Sequence, residues 1–508
     1  MKRYTDLEYL KLSKINRFFY RFLSFIIAIP LKLLNFIKLI GKYIAKFSKK
    51  VVNEILDIIM TFKNGGWKTR VSYFVMGFGN ISRGQIGRGI LFLVFELSFI
   101  FYMIFAGGHW ISQLGTLGTY GPEEIYSEIY DTYIVIKHDN SFKILLYSVL
   151  SIFFIIAFIY TWRINVKQNK IAEQILASGK KLKSGKDDLK SLLDDQFHKT
   201  LLALPTIGIV IFTVLPIIFM ILVAFTNYDG AHDGYNNQLF TWVKWENFKT
   251  IITVTTGKET AYSVAFGEIL TWTLIWAFFA TFSNYFLGMF VAILINKKGI
   301  KLKKLWRTIL VLTIAIPQFI SLIYVSKMFA NNGIINGFLL KYFGFTHEFF
   351  GTPLSSRITV IVINIWIGIP YLMLIATGIL MNIPEDLYES AKIDGANVWQ
   401  QYTKITLPYM LFITGPYLLT SFIGNMNNFN VIYLLSGGGP VNSDASSAAG
   451  AVGYTDLLVT WLFKITTGAE SKYYMASVIG VLIFIVVAVL SAIVYNILPS
   501  NKNEEDYQ

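Results

Sequence analysis

Not one of the 508 residues is a cysteine, which excludes disulfides and thiolate metal sites. Nor does the chain contain G-x-x-x-x-G-K-[ST], the loop whose backbone amides cradle phosphates. The nearest imitation, "GKKLKSGKDD" from Gly179 to Asp188, has the wrong spacing and puts Asp187 where a hydroxyl is needed. The 5 histidines join no acids at metal-ligand spacing, and no Ser–His–Asp arrangement is recognisable. The chain is therefore read as neither an ATPase nor a hydrolase. Acidic residues are scarce as well, 31 against 45 Lys and Arg, for a net charge of +14. Nucleic acid is not the inferred partner, because 54% of the residues are hydrophobic and basic loops beside a membrane account for the excess.

Long apolar runs dominate what is present. Each exceeds or approaches the roughly 20 residues that cross a bilayer as a helix. They predict an all-α polytopic membrane protein with about eight spans, near 89–108, 144–162, 201–225, 269–295, 309–329, 358–380, 409–433 and 476–495. The loop 110–140 carries Glu123, Glu124, Glu128, Asp131 and Asp139, whereas "KKGIKLKKLWR" at 297–307 is strongly basic. The positive-inside rule then puts both termini in the cytoplasm. No removable signal peptide is expected. Residues 1–86, with Arg21, Lys32, Lys38, Lys42 and Lys46 among short apolar clusters broken by Pro30, read as a basic interfacial segment on membrane lipid, with an extra span as the rival. Residues 87–162 read as two additional spans, 163–199 as a cytoplasmic linker, 200–498 as a six-helix core, and 499–508 as a polar tail.

Within the core, 384–408 is polar between two apolar runs. Pro384 suits a first helical turn, and Glu385 and Asp386 favour the positive helix end. Gly395 can close the helix in a left-handed turn. Asn397 and Gln400 have capping-box spacing for a second helix, along which Val398, Tyr402 and Ile405 form a stripe. Pro408 is expected to open the next span. The unit reads either as a well-capped hairpin or as a docking knob.

Polar residues inside the spans are the other signal. Asn425, Asn427, Asn428 and Asn430 are costly in a membrane unless paired, as bundle glue or as the lining of a solute path. Gly368 permits close approach, Pro370 frees a carbonyl, and Tyr371 adds an aromatic face with a hydroxyl. Glu96 is a lone acid in its span, for which a hydrogen-bonded structural role is preferred over a proton relay. Lys327 is expected to snorkel and Pro317 to kink its span.

Glu389-Ser390-Ala391, then Gly395, then Ile405-Thr406-Leu407-Pro408 resemble the "EAA" loop of bacterial ABC importer permeases, with Ser390 the one departure. "FTNYDGAH", "WRTILVLTIAIPQFIS", "WIGIPY" and "GNMNNFNVIYLLSGGGP" resemble the maltose/maltodextrin-type permease family over 200–498, and "MGFGNISRGQIGRG" resembles its Gram-positive version. The resemblance implies a type I ABC importer permease fold at the plasma membrane. It implies a second permease subunit as heterodimer partner, two ATP-binding cassette subunits and an extracytoplasmic sugar-binding protein. ATP and Mg would be used by the partner ATPase, with no cofactor on this chain. It puts ATPase coupling at Glu389, Ser390, Ala391, Gly395, Ile405, Leu407 and Pro408, and sugar contacts at Gly368, Tyr371, Asn425 and Asn428. Gly424 stands where the family can carry an aromatic, which leaves the sugar open. The rivals are an ion-coupled secondary transporter working through acids such as Glu96, a non-transporting scaffold, and an ABC permease for a non-sugar solute.

Overall fold

The structure, a computed structural model, describes residues 38, 41–43, 45–129, 131–135, 138–182, 187, 190–191, 193–253, 260–297, 299–443, 452–468 and 471–497. The expectations for Arg21, Pro30, Lys32 and the 499–508 tail lie outside the described residues. Two compact units emerge, one from Met1–His109 with Leu150–Ile207, the other from Trp110–Val149 with Gly208–Gln508.

Among the described residues seven helices are long and apolar enough to cross a membrane, and a bent pair makes up to 8. In chain order the elements are α1 (45–64), α2 (Trp67–Val71), α3 (Phe78–Ile81) and α4 (Ile86–Gln113). A short antiparallel hairpin follows, β1 (Glu124–Ser127) with β2 (Thr132–Val135), pairing Glu124 with Val135. Its β-branched and tyrosine-rich strands explain this exception to the all-α expectation. Next come α5 (Ser141–Ala177), α6 (Phe197–Val223), α7 (Glu246–Ile252), α8 (Thr260–Asn296), the pair α9 (Lys303–Ala315) and α10 (Gln318–Met328), and α11 (Ile334–Phe343). The chain closes with α12 (Pro353–Leu380), α13 (Glu385–Ile393), α14 (Val398–Met426), α15 (Phe429–Leu435), α16 (Leu458–Thr467) and α17 (Tyr473–Ile497).

Three elements differ from expectation. The segment read as a linker from 163 begins as helix, because α5 runs unbroken to Ala177. Span five does more than kink: α9 and α10 meet at 93°, with Ile316 and Pro317 both extended. Proline forces its predecessor out of the helical region and offers no N–H to continue the ladder. Span seven neither starts near 409 nor reaches 433. It runs from Val398 to Met426, and α15 follows as a separate helix whose N-terminus is capped by the Asn428 side chain.

The first unit is held by polar side chains. Asn165 of α5 accepts from the Gly77 N–H at 3.0 Å and donates to the Ser72 carbonyl at 2.8 Å. Arg83 donates to Asn169 and Thr69, each at 2.7 Å, and Thr69 donates to Glu173 at 2.6 Å. Asn165, Asn169 and Glu173 are successive turns of one helix face. The "MGFGNISRG" stretch is thus wound against that stripe. Gly77 has φ +81, and a Cβ there would strike the Gly89 backbone.

In the second unit α8, α12 and α14 share a core of Tyr285, Met289, Leu372, Met373, Met410 and Leu418. Gly288 lets α8 approach α12, since a Cβ there would lie 2.6 Å from that of Leu372. Such close helix contact is how packing is gained where lipid removes the hydrophobic drive. At one end of α8, the Trp272 indole donates to the Thr455 carbonyl at 3.1 Å, and Arg357 stacks 4.8 Å from the Trp272 ring.

Candidate functional site

The 384–408 stretch folds as two helices at a tight turn. Pro384 is the N-cap of α13, one position before the first turn. The end of α13 is a Schellman motif: Ala396 N–H donates to the Ala391 carbonyl at 2.8 Å, and Gly395 N–H to that of Lys392 at 3.0 Å. Gly395, at φ +77, supplies the left-handed residue the motif needs. Asn397 and Gln400 then form a reciprocal capping box, both bonds 2.8 Å. The Tyr388 hydroxyl meets that of Thr406 at 2.9 Å and pins α13 to α14.

Pro408 does not open the next span, because it lies inside α14. The helix widens into a π turn over Tyr402–Thr406 just before it. That turn accommodates a ring that cannot make the usual i→i−4 bond. Ile405 is half-buried beside it, as is Leu407. The other end of the unit faces solvent. Glu389 and Ser390 are exposed, Ala391 is half-buried, and Glu389 makes no ion pair among the described residues. Around them stand Ile393, Val398 and Trp399, exposed by 87%, 81% and 70%. A carboxylate without an ion pair among the described residues, on a turn that also exposes large apolar side chains, has the chemistry of a docking surface.

Of the four residues read as solute contacts, Gly368 and Asn425 meet α8. A Cβ on Gly368 would fall on the Asn284 amide of α8. Tyr371 lies one turn further along α12, half exposed. The Asn425 side chain donates to Thr281 of α8 at 2.9 Å, and its carbonyl accepts from the Trp276 indole at 3.1 Å. Asn428 reaches Asn425 at 3.4 Å while capping α15. Asn425 is therefore already engaged in holding α14 to α8, and Asn428 in capping α15. Gly424 is exposed and a Cβ there would meet nothing within 4 Å.

Two residues at this strip were not singled out by sequence reasoning. Asn284 and Asn364 are 7% and 5% exposed, and the Asn284 Oδ1 and Asn364 Nδ2 atoms are buried without a hydrogen-bond partner among the described residues. One is an acceptor and the other a donor, an unmet demand that an incoming polar molecule could satisfy. Each is a lone amide in an apolar span, a signal available beforehand. Glu96 is used up structurally: its buried carboxylate accepts from the Met76 N–H at 2.8 Å.

The membrane helices thus carry an exposed, capped helix–turn–helix tip at 384–408 and a group of amides where α8, α12 and α14 meet. The family described as binding-protein-dependent transport system inner membrane component matches residues 284–502. The chain is similar to the maltodextrin transport system permease protein MalC of Streptococcus pneumoniae, 32% identical over 448 residues, 86% of this chain and 97% of that protein. It is 32% identical over 418 residues to the galactooligosaccharides transport system permease protein GanP of Bacillus subtilis, covering 81% and 93%. The maltose/maltodextrin transport system permease protein MalF of Escherichia coli is 34% identical over 252 residues, 49% of this chain and 48% of that protein. The chain belongs to this family of ABC importer permeases, in the MalF-like version of Gram-positive type. It is a multi-pass membrane protein and a transporter subunit, and the ATPase of such an importer is a separate subunit.

Proposed function

We propose that this chain forms half of the path by which an oligosaccharide of the maltodextrin class is imported, with a second permease forming the other half. Two ATPase subunits dock below, one of them on the α13–α14 tip. An extracytoplasmic binding protein delivers the sugar, and ATP and Mg act only on the ATPases. The α13–α14 unit is the observation that carries this reading. Its tip is exposed and, among the described residues, without an ion pair at Glu389, while its second helix is the same helix that ends at Asn425 and Met426. Displacement of the tip therefore reaches the polar strip without a break. Glu389 pairs with a basic residue of the ATPase, and Ile393, Val398 and Trp399 fill its cleft. Import is a population shift between inward- and outward-facing states favoured by different partners.

The sugar is held at Gly368, Tyr371, Asn425 and Asn428, joined by Asn284 and Asn364. Tyr371 supplies a stacking face and the amides supply hydrogen bonds to hydroxyls. The kinship with a galactooligosaccharide permease supports a second reading of the substrate, and the open space at Gly424 suits a bulkier sugar. Both termini lie in the cytoplasm, with α13 on the same side.

The test is co-purification through a tag on this chain expressed with its genomic neighbours, then ATP hydrolysis and uptake in liposomes. A second permease and an ATPase are expected to follow the tag. Hydrolysis is expected to fall at least about tenfold in Glu389→Ala, the loss of one charge-assisted contact. Uptake of maltodextrins over galactooligosaccharides supports the first reading and the reverse order the second. A chain that purifies alone and moves solute without ATP would overturn both.

A further inference from the structure

The first unit contains a charged groove that neither the docking tip nor the polar strip uses. On α1, Lys46, Lys49, Lys50, Asn53, Glu54 and Asp57 recur at helical spacing on one face. Opposite them α5 presents Arg163, Lys167 and Lys170, and together the two helices line a cavity of about 710 Å³. Its wall holds six cations and two carboxylates, an excess of four positive charges.

Both carboxylates are taken. Arg163 Nη2 lies 2.6 Å from Glu54 and 2.6 Å from Asp57. Lys167 reaches Glu54 at 3.0 Å, and Lys170 pairs with Asp57. The close cations hold both acids below the ordinary carboxylate range, Glu54 through Lys167 and Asp57 through Lys170, so neither is available as a protonated donor. Lys46, Lys49 and Lys50 make no ion pair among the described residues, and Arg163 Nη1 is buried with no acceptor. Among the described residues the groove therefore has donors in excess of acceptors.

The rest of α1 names the occupant. Phe47, Val52, Ile55 and Ile59 are 69%, 53%, 50% and 55% exposed. A helix with bare apolar residues and a lysine row is built to lie in a membrane interface. A soluble anion would use the lysines and ignore the apolar residues, whereas a phospholipid uses both. We propose that the groove is a binding site for an anionic phospholipid. Its phosphate is held by Lys46, Lys49, Lys50 and Arg163 Nη1, and its acyl chains lie over the exposed apolar residues of α1. Basic pockets beside membrane helices suit such headgroups on electrostatic grounds.

The test uses the full chain in its importer complex, reconstituted in nanodiscs of phosphatidylcholine with phosphatidylglycerol, then released for native mass spectrometry. Phosphatidylglycerol is expected to stay bound in preference to phosphatidylcholine. Lys46→Gln with Lys49→Gln and Lys50→Gln is expected to lower its retention by roughly fivefold per lysine, while Lys→Arg at the same three positions keeps it. Equal retention of the two lipids, or no change in the Gln variant, would overturn the proposal. So would equal loss in the Arg variant, which would show that packing and not charge matters. Displacement by inorganic phosphate would reassign the groove to a soluble anion and also overturn it.

Discussion

At the scale of single residues, the glycines that matter are those whose missing side chain is replaced by another atom of the protein. At Gly77 a positive φ coincides with the Gly89 backbone in the place of a Cβ. Gly77→Ala is expected to destabilise the purified protein by about 2 kcal/mol, read as a lower unfolding temperature in detergent. An unchanged temperature would show that α3 can shift. Gly368 is different, because the atom in its place is a polar group with an unmet bond. Asn364→Ala and Tyr371→Ala are each expected to raise the KM for sugar about fivefold, while ATP hydrolysis without sugar stays unchanged. A rise in neither would leave the strip as bundle packing alone. Of this strip the family motif pointed to four residues. An amide in an apolar run flags Asn284 and Asn364, but does not say whether either will find a partner. That depends on which helix faces it.

At the scale of elements, local chemistry was readable where neighbours in sequence complete it. The αL glycine at 395 and the Asn397–Gln400 box are closed by residues within a few positions, so spacing sufficed. Proline was not readable in the same way. Pro370 and Pro416 lie inside unbroken helices, while Pro317 ends α9 and turns the chain by 93°. The ring removes one bond in every case, and the surroundings decide whether the helix continues. Tyr388→Phe removes the α13–α14 tether, about 1 kcal/mol. It should lower sugar-stimulated hydrolysis while leaving expression unchanged, and full stimulation would show that the tether is dispensable. The docking of α1 on α5 should respond to acid. Asp57 titrates below its ordinary 3.8 because Lys170 and then Arg163 favour its charged form. A depressed folded value means that the stabilisation is complete above about 3.8 and is lost as pH falls through the lower folded value. Spin labels at exposed Met60 and Ile171 should separate in that acid window only.

At the scale of the whole molecule, the span count and the membrane class were legible from hydropathy, since the bilayer imposes a length that any sequence must meet. The two-unit division was not, because it depends on long-range packing that cuts through α5. Sidedness can be measured directly, since a chain without cysteine accepts one label at a time. With cysteine placed at exposed Glu128 or Ser390, an impermeant maleimide should react with the first in intact cells and with the second only after permeabilisation. Reaction of Ser390→Cys from outside would invert the orientation. The unbroken run from Val398 to Met426 has a mechanical consequence. At 1.5 Å per residue it is a beam roughly 42 Å long. Tilting it by about 5° at the tip sweeps its far end through roughly 4 Å, about the width of a water shell. The π turn at Tyr402–Thr406 sits near the tip end of this run. If the tip is driven as proposed, Asn427, where the helix stops, would be where that stroke is delivered.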